Sequence, residues 1–149
     1  MTKGQVLLQS WDAFIDNLIA HSRDARGFEH MDKACIIGLD GGAKWTTDSH
    51  QKALKLSLNE ASTIAKVFKR RDFTPFMDNG IYAEGVKYKY LQVDLDNKIV
   101  FAKKEGNGAL TLQRSKTAIV IAHTKEGSQQ KFTNKAVRDI AEYLESLGM

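Results

Sequence analysis

The apolar positions change period along the chain, and the changes divide it into elements. Trp11, Phe14, Ile15, Leu18 and Ile19 recur at helical spacing, which places them along one face of a helix. Ser10 is its predicted N-cap, with Asp12 in the first turn, where a negative charge complements the helix dipole. The polar, glycine-containing stretch from Arg23 to Asp32 predicts a loop. Lys33–Leu39 follows as a strand; Asp40-Gly41-Gly42 supplies turn residues, and Ala43–Thr47 returns in a hairpin pattern. Ser57 and Glu60 have capping-box spacing ahead of Ala61, Ile64, Ala65 and Phe68, one face of a second helix. Lys69, Arg70 and Arg71 occupy its last turn, where cations suit the dipole.

From Gly80 onward the period becomes two. Val86, Tyr88 and Tyr90 alternate with Lys87 and Lys89, which predicts a strand with one wet face. Asp94–Asn97 predicts a turn, and Lys98–Lys103, Ala109–Gln113 and Lys116–Thr124 predict further strands. Thr117–Ala122 is apolar on both faces, so it belongs in the middle of the sheet with cover on both sides. Thr133–Leu147 closes the pattern as a helix, with Val137, Ile140, Ala141 and Leu144 on one stripe. Helix, hairpin, helix, antiparallel strands and helix add up to an α+β domain, an antiparallel sheet covered by helices.

A length of 149 residues without repeats or a proline-rich linker fits one domain. The single cysteine, Cys35, excludes an internal disulfide framework and fits a reducing compartment. Apolar runs such as Ala118–Ala122 fall far short of the roughly 20 residues of a membrane span. The opening residues lack the apolar core of a signal peptide, so the expected location is intracellular. Twenty-two Lys and Arg against eighteen Asp and Glu leave a net charge of +4. The cations are spread out, with small clusters at Lys69-Arg70-Arg71 and Lys103-Lys104. That pattern suits an acidic protein or an anionic headgroup better than nucleic acid, whose binders concentrate their charge.

Catalytic chemistry finds little support. His21, His30, His50 and His123 lack metal-ligand spacing, and Cys35 reads as a small buried hydrophobe within a strand. His123, at the end of a buried strand, reads as a packed or hydrogen-bonded residue rather than a base. Asp94-Leu95-Asp96-Asn97 begins like a calcium loop, but Lys98 and Ile99 break it. Gly106-Asn107-Gly108 lacks the third glycine and the following helix of a phosphate cradle, and reads as a hairpin turn. No metal, cofactor or catalytic set emerges. The distinctive residues are aromatic: Trp11 and Phe14 one turn apart, Trp45, and Tyr143 off the buried stripe of the last helix. Trp11 and Phe14 suit either core packing or an exposed shelf. Such shelves bind polyproline II segments, whose unpaired carbonyls accept from indole N–H groups.

With these residues in view, the chain resembles a profilin. Ser10-Trp11-Asp12-Ala13-Phe14-Ile15-Asp16-Asn17-Leu18 is similar to the family's opening helix signature, Trp-x-x-Tyr-x-Asp-x-Leu, with Phe14 in the tyrosine position. Asp32–Gly38 followed by the turn and Trp45 resembles its first hairpin, and Gly80–Lys87 its central Gly-x-x-x-x-Gly-x-Lys segment. Lys116-Thr117, Lys125-Glu126-Gly127 and Asn134-Lys135 resemble its C-terminal third, and Tyr143–Met149 is most like invertebrate animal members. The similarity spans 10–149, which is taken as the profilin domain; residues 1–9 precede the family's usual start and are given no role. The resemblance implies a central antiparallel sheet with the N- and C-terminal helices on one face and further helices on the other.

It also implies a monomeric, cytoplasmic, cytoskeletal protein that is not an enzyme and uses no cofactor. The implied partners are monomeric actin, proline-rich segments of regulators such as formins, and phosphoinositide headgroups, but not nucleic acid. Position by position, the resemblance puts polyproline binding on Trp11, Phe14, Trp45, Tyr143 and Met149. Phe14 lacks the phenol hydroxyl, a loss of about 0.5–1.5 kcal/mol if it removes a hydrogen bond. Met149 replaces a common tyrosine and still offers an adaptable apolar surface. Actin binding falls on Lys87, Lys89, Tyr90, Lys104, Thr111, Gln113, Gln129, Lys131, Asn134, Lys135 and Asp139. Without the resemblance each of these lysines reads as a solvated surface charge. Lys69, Arg70, Arg71 and Lys104 are the lipid candidates. The rival is a basic peripheral module for anionic lipid or nucleic acid, with structural aromatics and no affinity for actin.

Overall fold

The apolar run at 118–122 becomes the most enclosed part of the molecule. The computed structural model describes residues 3–94, 96 and 98–149, with side chains from residue 11 onward. Six strands, β1 (Met31–Gly38), β2 (Ile81–Ala83), β3 (Val86–Asp94), β4 (Ile99–Lys104), β5 (Gly108–Arg114) and β6 (Ala118–Thr124), form one antiparallel sheet. Their order is β1-β6-β5-β4-β3-β2. The helices are α1 (Lys3–His21), α2 (Leu58–Arg70), α3 (Thr74–Asn79) and α4 (Gln130–Ser146).

Alternation along β6 divides the core into two layers. Ala118, Val120 and Ala122 face α1 and α4, meeting Trp11, Ile15, Leu18, Val137, Ile140 and Leu144. Ile119 and Ile121 face the other way, toward α2 and the segment with Phe73 and Phe76, beside Leu110, Leu112 and Val100. Both sides are therefore dry, as the unbroken apolar run requires. Each fully buried Ile or Leu contributes about 1.5–3 kcal/mol. None of the described helices is long and apolar enough to cross a membrane.

The predicted capping box is present. Ser57 Oγ accepts from the Glu60 N–H at 3.0 Å, and Glu60 Oε1 accepts from the Ser57 N–H at 2.9 Å. Glu60 reaches further, accepting from Glu84 N–H at 3.0 Å and Gly85 N–H at 2.8 Å. One carboxylate thus starts α2 and secures the β2–β3 turn, where Glu84 has φ 51°.

Several expectations give way to the structure. α1 starts at Lys3, so Ser10 lies inside the helix rather than capping it, and Asp12 is not in the first turn. Gln5, Leu7, Leu8 and Gln9 are good helix formers that carry the helix past Ser10. Ala43–Thr47 is not a strand: β1 pairs with β6, and the returning segment keeps one antiparallel bridge, Ile37 to Lys44. The Gly38 N–H still donates to Ala43 O at 2.7 Å and the Trp45 N–H to Ile36 O at 2.9 Å, but the Ile36 N–H turns to a side chain, Thr46 Oγ1, at 3.1 Å. The loop still covers the β1 edge, which would otherwise invite pairing with another chain. α3 and β2, at six and three residues, are too short to show a period and were absent from the pattern. α4 begins at Gln130, three residues before the expected start. The predicted turn at Asp94–Asn97 falls partly outside the described residues.

Candidate functional site

Two separate surfaces carry the distinctive residues. The first is an aromatic strip on the α1/α4 layer. Trp11 and Phe14, one turn apart on α1, have ring centroids 5.2 Å apart; Trp45 lies 4.7 Å from Trp11, and Tyr143 of α4 lies 6.2 Å from Phe14. Trp11 is only 6% exposed and Tyr143 is 50% exposed. Trp11 therefore satisfies both readings, with its ring mostly in the core and its neighbours forming the open part of the strip. The Trp45 Nε1 edge lies over Gly38 of β1, where an added Cβ would stand 3.0 Å away.

Met149 packs partly buried against the same layer. Its main-chain oxygen accepts from Ser115 Oγ at 2.9 Å, Thr117 Oγ1 at 2.8 Å and the Thr117 N–H. These donors tie it to the β5–β6 connection. All five predicted aromatic and methionine positions thus fall on one layer, although they come from α1, an irregular loop, α4 and Met149 beyond it.

The second surface lies where α4 stops covering the sheet. Beside α3, at the ends of β3 and β4, an open groove of about 860 Å³ is lined by Lys87, Lys89, Leu91, Lys103 and Lys104, by the carboxylates of Asp78, Glu105 and Glu126, and by Met77 of α3. Leu91 and Met77 are exposed apolar side chains. Among the described residues, none of these four lysines has a carboxylate within 4.0 Å; Asp78, Glu105 and Glu126 stand further off in the same groove and offset part of their charge. A smaller cleft of about 400 Å³ joins Asp94, Ile99 and Phe101 to Asn134 and Arg138 of α4.

The structure sorts the predicted actin set. Lys87, Lys89, Lys104, Gln129, Lys131 and Lys135 are exposed, and Asn134 and Asp139 are half-buried. Thr111 (0% exposed) and Gln113 (5%) are buried and do not present a surface. Thr111 instead donates to Asn134 Oδ1 at 2.5 Å and accepts from Gln130 Nε2 at 3.2 Å, fixing the start of α4 from below. Strand alternation sends Tyr90 toward the α2 layer, so it reaches the groove from its opposite wall. Lys135 and Lys131 hold local partners: Lys135 Nζ donates to Asp139 Oδ2 at 2.9 Å, and Lys131 Nζ lies 5.1 Å from the Phe132 ring. Burial raises the Asp139 carboxyl, but hydrogen bonds from Lys135 and His21 outweigh it and leave the group below its ordinary range.

Residue-level reading missed Leu91, Ile99, Phe101 and Arg138. The alternation Ile99, Phe101, Lys103 in β4 carries a signal, because an apolar pair continues on the side that carries a lysine. Which side α4 leaves open depends on sheet order, which the alternation does not contain.

The lipid set is divided. Lys69, Arg70 and Arg71 end α2, while Lys104 lines the large groove. Arg71 instead shares a cleft of about 350 Å³ with Arg114, Lys98 and Lys116, and with the carboxylates of Asp96 and Glu145. Burial lowers the Arg114 pKa and the nearby Arg71 charge lowers it further, while Glu145 offsets part of the shift. Neither arginine has a carboxylate within 4.0 Å among the described residues.

Two histidines hold segments beside these surfaces. His30 is stacked on Phe132 at 4.5 Å; its Nδ1 accepts from the Gln129 N–H at 3.0 Å and its Nε2 faces Asp24 Oδ2 at 2.9 Å. His123 Nδ1 lies 2.6 Å from Asp32 Oδ1, and its Nε2 meets the Asn107 carbonyl. Burial disfavours the His123 charge, but the bonds to Asp32 and Asn107 prevail and raise its pKa. Cys35 is buried and its thiol is pushed up by desolvation. No cluster of three or more His, Cys, Asp or Glu could hold a metal among the described residues.

With both surfaces described, comparison with known proteins places the chain. A family model described as profilin matches residues 9–149. A profilin of Heliocidaris crassispina is 64% identical over 140 residues, covering 94% of this chain and 99% of that protein. A profilin of Suberites domuncula is 61% identical with the same coverage. Among solved structures, Acanthamoeba castellanii profilin II matches with a TM-score of 0.75 at 24% identity, over 93% of this chain and 99% of that one. Mouse profilin IIa, solved in complex with a double repeat from the FH1 domain of mDia1, matches with a TM-score of 0.67 at 20% identity, with the same coverage.

Proposed function

The chain belongs to the profilin family of actin-binding cytoskeletal regulators, and on that premise we propose that it holds an actin monomer and a proline-rich segment at once. The observation that carries this reading is that the aromatic strip and the lysine-rich groove share no residue. Occupying one leaves the other open. The proline-rich segment lies along Trp45, Trp11, Phe14 and Tyr143, with Met149 packing at the end. The mouse profilin solved with an FH1 repeat supports this choice of ligand class.

Actin binds across the groove and the first turns of α4. Lys87, Lys89 and Lys104 supply attraction to an acidic partner, and Leu91, Phe101 and Met77 supply apolar contact. The protein works by binding rather than by breaking bonds. It speeds nucleotide exchange on actin only through unequal affinity for actin's states. This function belongs to the domain 10–149 acting as a monomer in the cytoplasm.

An assay of actin polymerisation, with and without a formin-type proline-rich segment, tests the whole reading. The protein alone slows nucleation, and the segment restores elongation. Lys135→Glu weakens monomer sequestration; equal sequestration by the variant rejects this placement of the actin face. A phosphoinositide reading is favoured at the Arg71–Arg114 cleft, where Arg71, Lys98, Arg114 and Lys116 outnumber Asp96 and Glu145 and an anion adds to the partial compensation that Glu145 gives Arg114. Co-sedimentation with phosphoinositide vesicles that is unchanged in Arg114→Ala rejects that site.

A further inference from the structure

Asp12 invites an explanation once α1 is seen to begin at Lys3. It is then a mid-helix aspartate, too far from the N-terminus to complement the dipole and a poor helix former for its position. Its carboxylate has another use. Oδ1 accepts from the Thr47 N–H at 2.7 Å, and Oδ2 accepts from the Thr47 Oγ1–H at 2.5 Å. Both oxygens are thus committed to one residue, 35 positions away in the chain.

Thr47 lies two residues beyond Trp45, in a segment that forms no strand or helix. Such a segment takes its shape from whatever pins it. On one side Trp45 is held to β1: its N–H donates to Ile36 O at 2.9 Å, and Thr46 Oγ1 accepts from the Ile36 N–H. These bonds fix the backbone relative to the sheet, not relative to α1. The link to α1 comes from Asp12–Thr47, followed by His50 Nε2 against Asp16 Oδ1 at 2.8 Å. Asp12 is also the neighbour of Trp11, so one helical turn carries one indole of the strip and ties down the segment bearing the other.

A steric limit acts from the opposite side. A Cβ on Gly38 would stand 3.0 Å from Trp45 Nε1, so the indole edge rests against bare backbone of β1. Pressed against Gly38 and tethered through Thr47, the Trp45 ring has little freedom to leave its 4.7 Å approach to Trp11. We propose that Asp12 is a positioning residue for the proline-binding strip, setting the Trp11–Trp45 geometry through Thr47. The proposal rests on the reading of that strip as the proline site.

The test titrates poly-L-proline into full-length protein and compares wild type, Asp12→Ala, Thr47→Val and Asp12→Asn. Asp12→Ala binds about three- to tenfold more weakly, from the loss of two hydrogen bonds that preorganise the site. Thr47→Val and Asp12→Asn, which each keep an acceptor or donor of the pair, fall between it and wild type. The near-UV circular dichroism of the indole pair changes in parallel, while the far-UV spectrum does not. In a Trp45→Ala background, Asp12→Ala adds nothing, because the residue it positions is gone. Wild-type protein that fails to bind poly-L-proline overturns the proline reading, and with it any role for Asp12 in binding. If wild type binds and Asp12→Ala binds equally well, or if Asp12→Ala costs as much with Trp45 absent, the positioning role alone is refuted.

Discussion

Deprotonating His123 should loosen the turn that borders the lysine groove. Both ring nitrogens face oxygen acceptors, the Asp32 carboxylate and the Asn107 carbonyl. A ring satisfies two acceptors only as imidazolium, with an N–H at each nitrogen. Around it stand Lys33 and Asp32 of β1, Glu84 and Tyr88 of the β2–β3 hairpin, and Asn107 of the β4–β5 turn. Tyr88, pushed up to about 12 by burial and then by Glu84 and Asp32, stays neutral across the pH range of the experiment. The folded pKa of His123 is raised. Its stabilisation is therefore fully present below the ordinary histidine value of about 6.5 and is lost as pH rises through the folded value.

The neutral ring keeps one N–H and its best partner, the charged Asp32, so the bond given up is the one to Asn107. A hydrogen bond from a charged donor contributes about 1.5–3 kcal/mol, and only one of two is lost. The side chains of His123 and Asp32 remain 12% and 33% exposed, so the expected loss is about 1–2 kcal/mol after solvent screening. Urea unfolding of wild type and His123→Gln at pH 5.5 and 8.5 measures it, because the difference between the two proteins isolates this group. Asp24, Glu29 and Asp139 are all held below their usual values and titrate below that window. A wild-type advantage that is the same at both pH values, or that grows with pH, refutes the reasoning. So does a His123 imidazole that titrates by NMR at or below the ordinary value.

Two further outcomes follow from the packing. Glu60→Ala removes the acceptor of three backbone N–H groups, at Ser57, Glu84 and Gly85, and should cost about 2–3 kcal/mol in a denaturant titration; a loss under about 0.5 kcal/mol contradicts the joint role in the α2 cap and the β2–β3 turn. Thr117→Val takes one of three donors from the Met149 oxygen, so stability falls by about 0.5–1 kcal/mol, the Met149 methyl resonance shifts, and poly-L-proline binding weakens. An unmoved methyl signal means that Met149 is placed by packing alone.

The period of the chain determined much of this protein without help from tertiary contacts. Period two and period 3.6 are consequences of backbone geometry, so the two-faced burial of 118–122, the stripe Val137–Leu144 and the Ser57–Glu60 capping box were legible from local sequence. Local spacing and family resemblance also singled out Trp11, Phe14, Trp45, Tyr143 and Met149, which the fold gathers on one layer.

The contacts between distant segments were decided elsewhere. Thr111 and Gln113 lie on a strand face that is wet or dry according to where α4 lands, and α4 lands on β5 and β6. Lys104 and Arg71 separate because sheet order sends β4 and the end of α2 to different clefts. His123 meets Asp32 across 91 residues, and Asp12 meets Thr47 across 35. A side chain's period says which way it points; only the closed sheet, with its strand order and packed helices, says what it meets there.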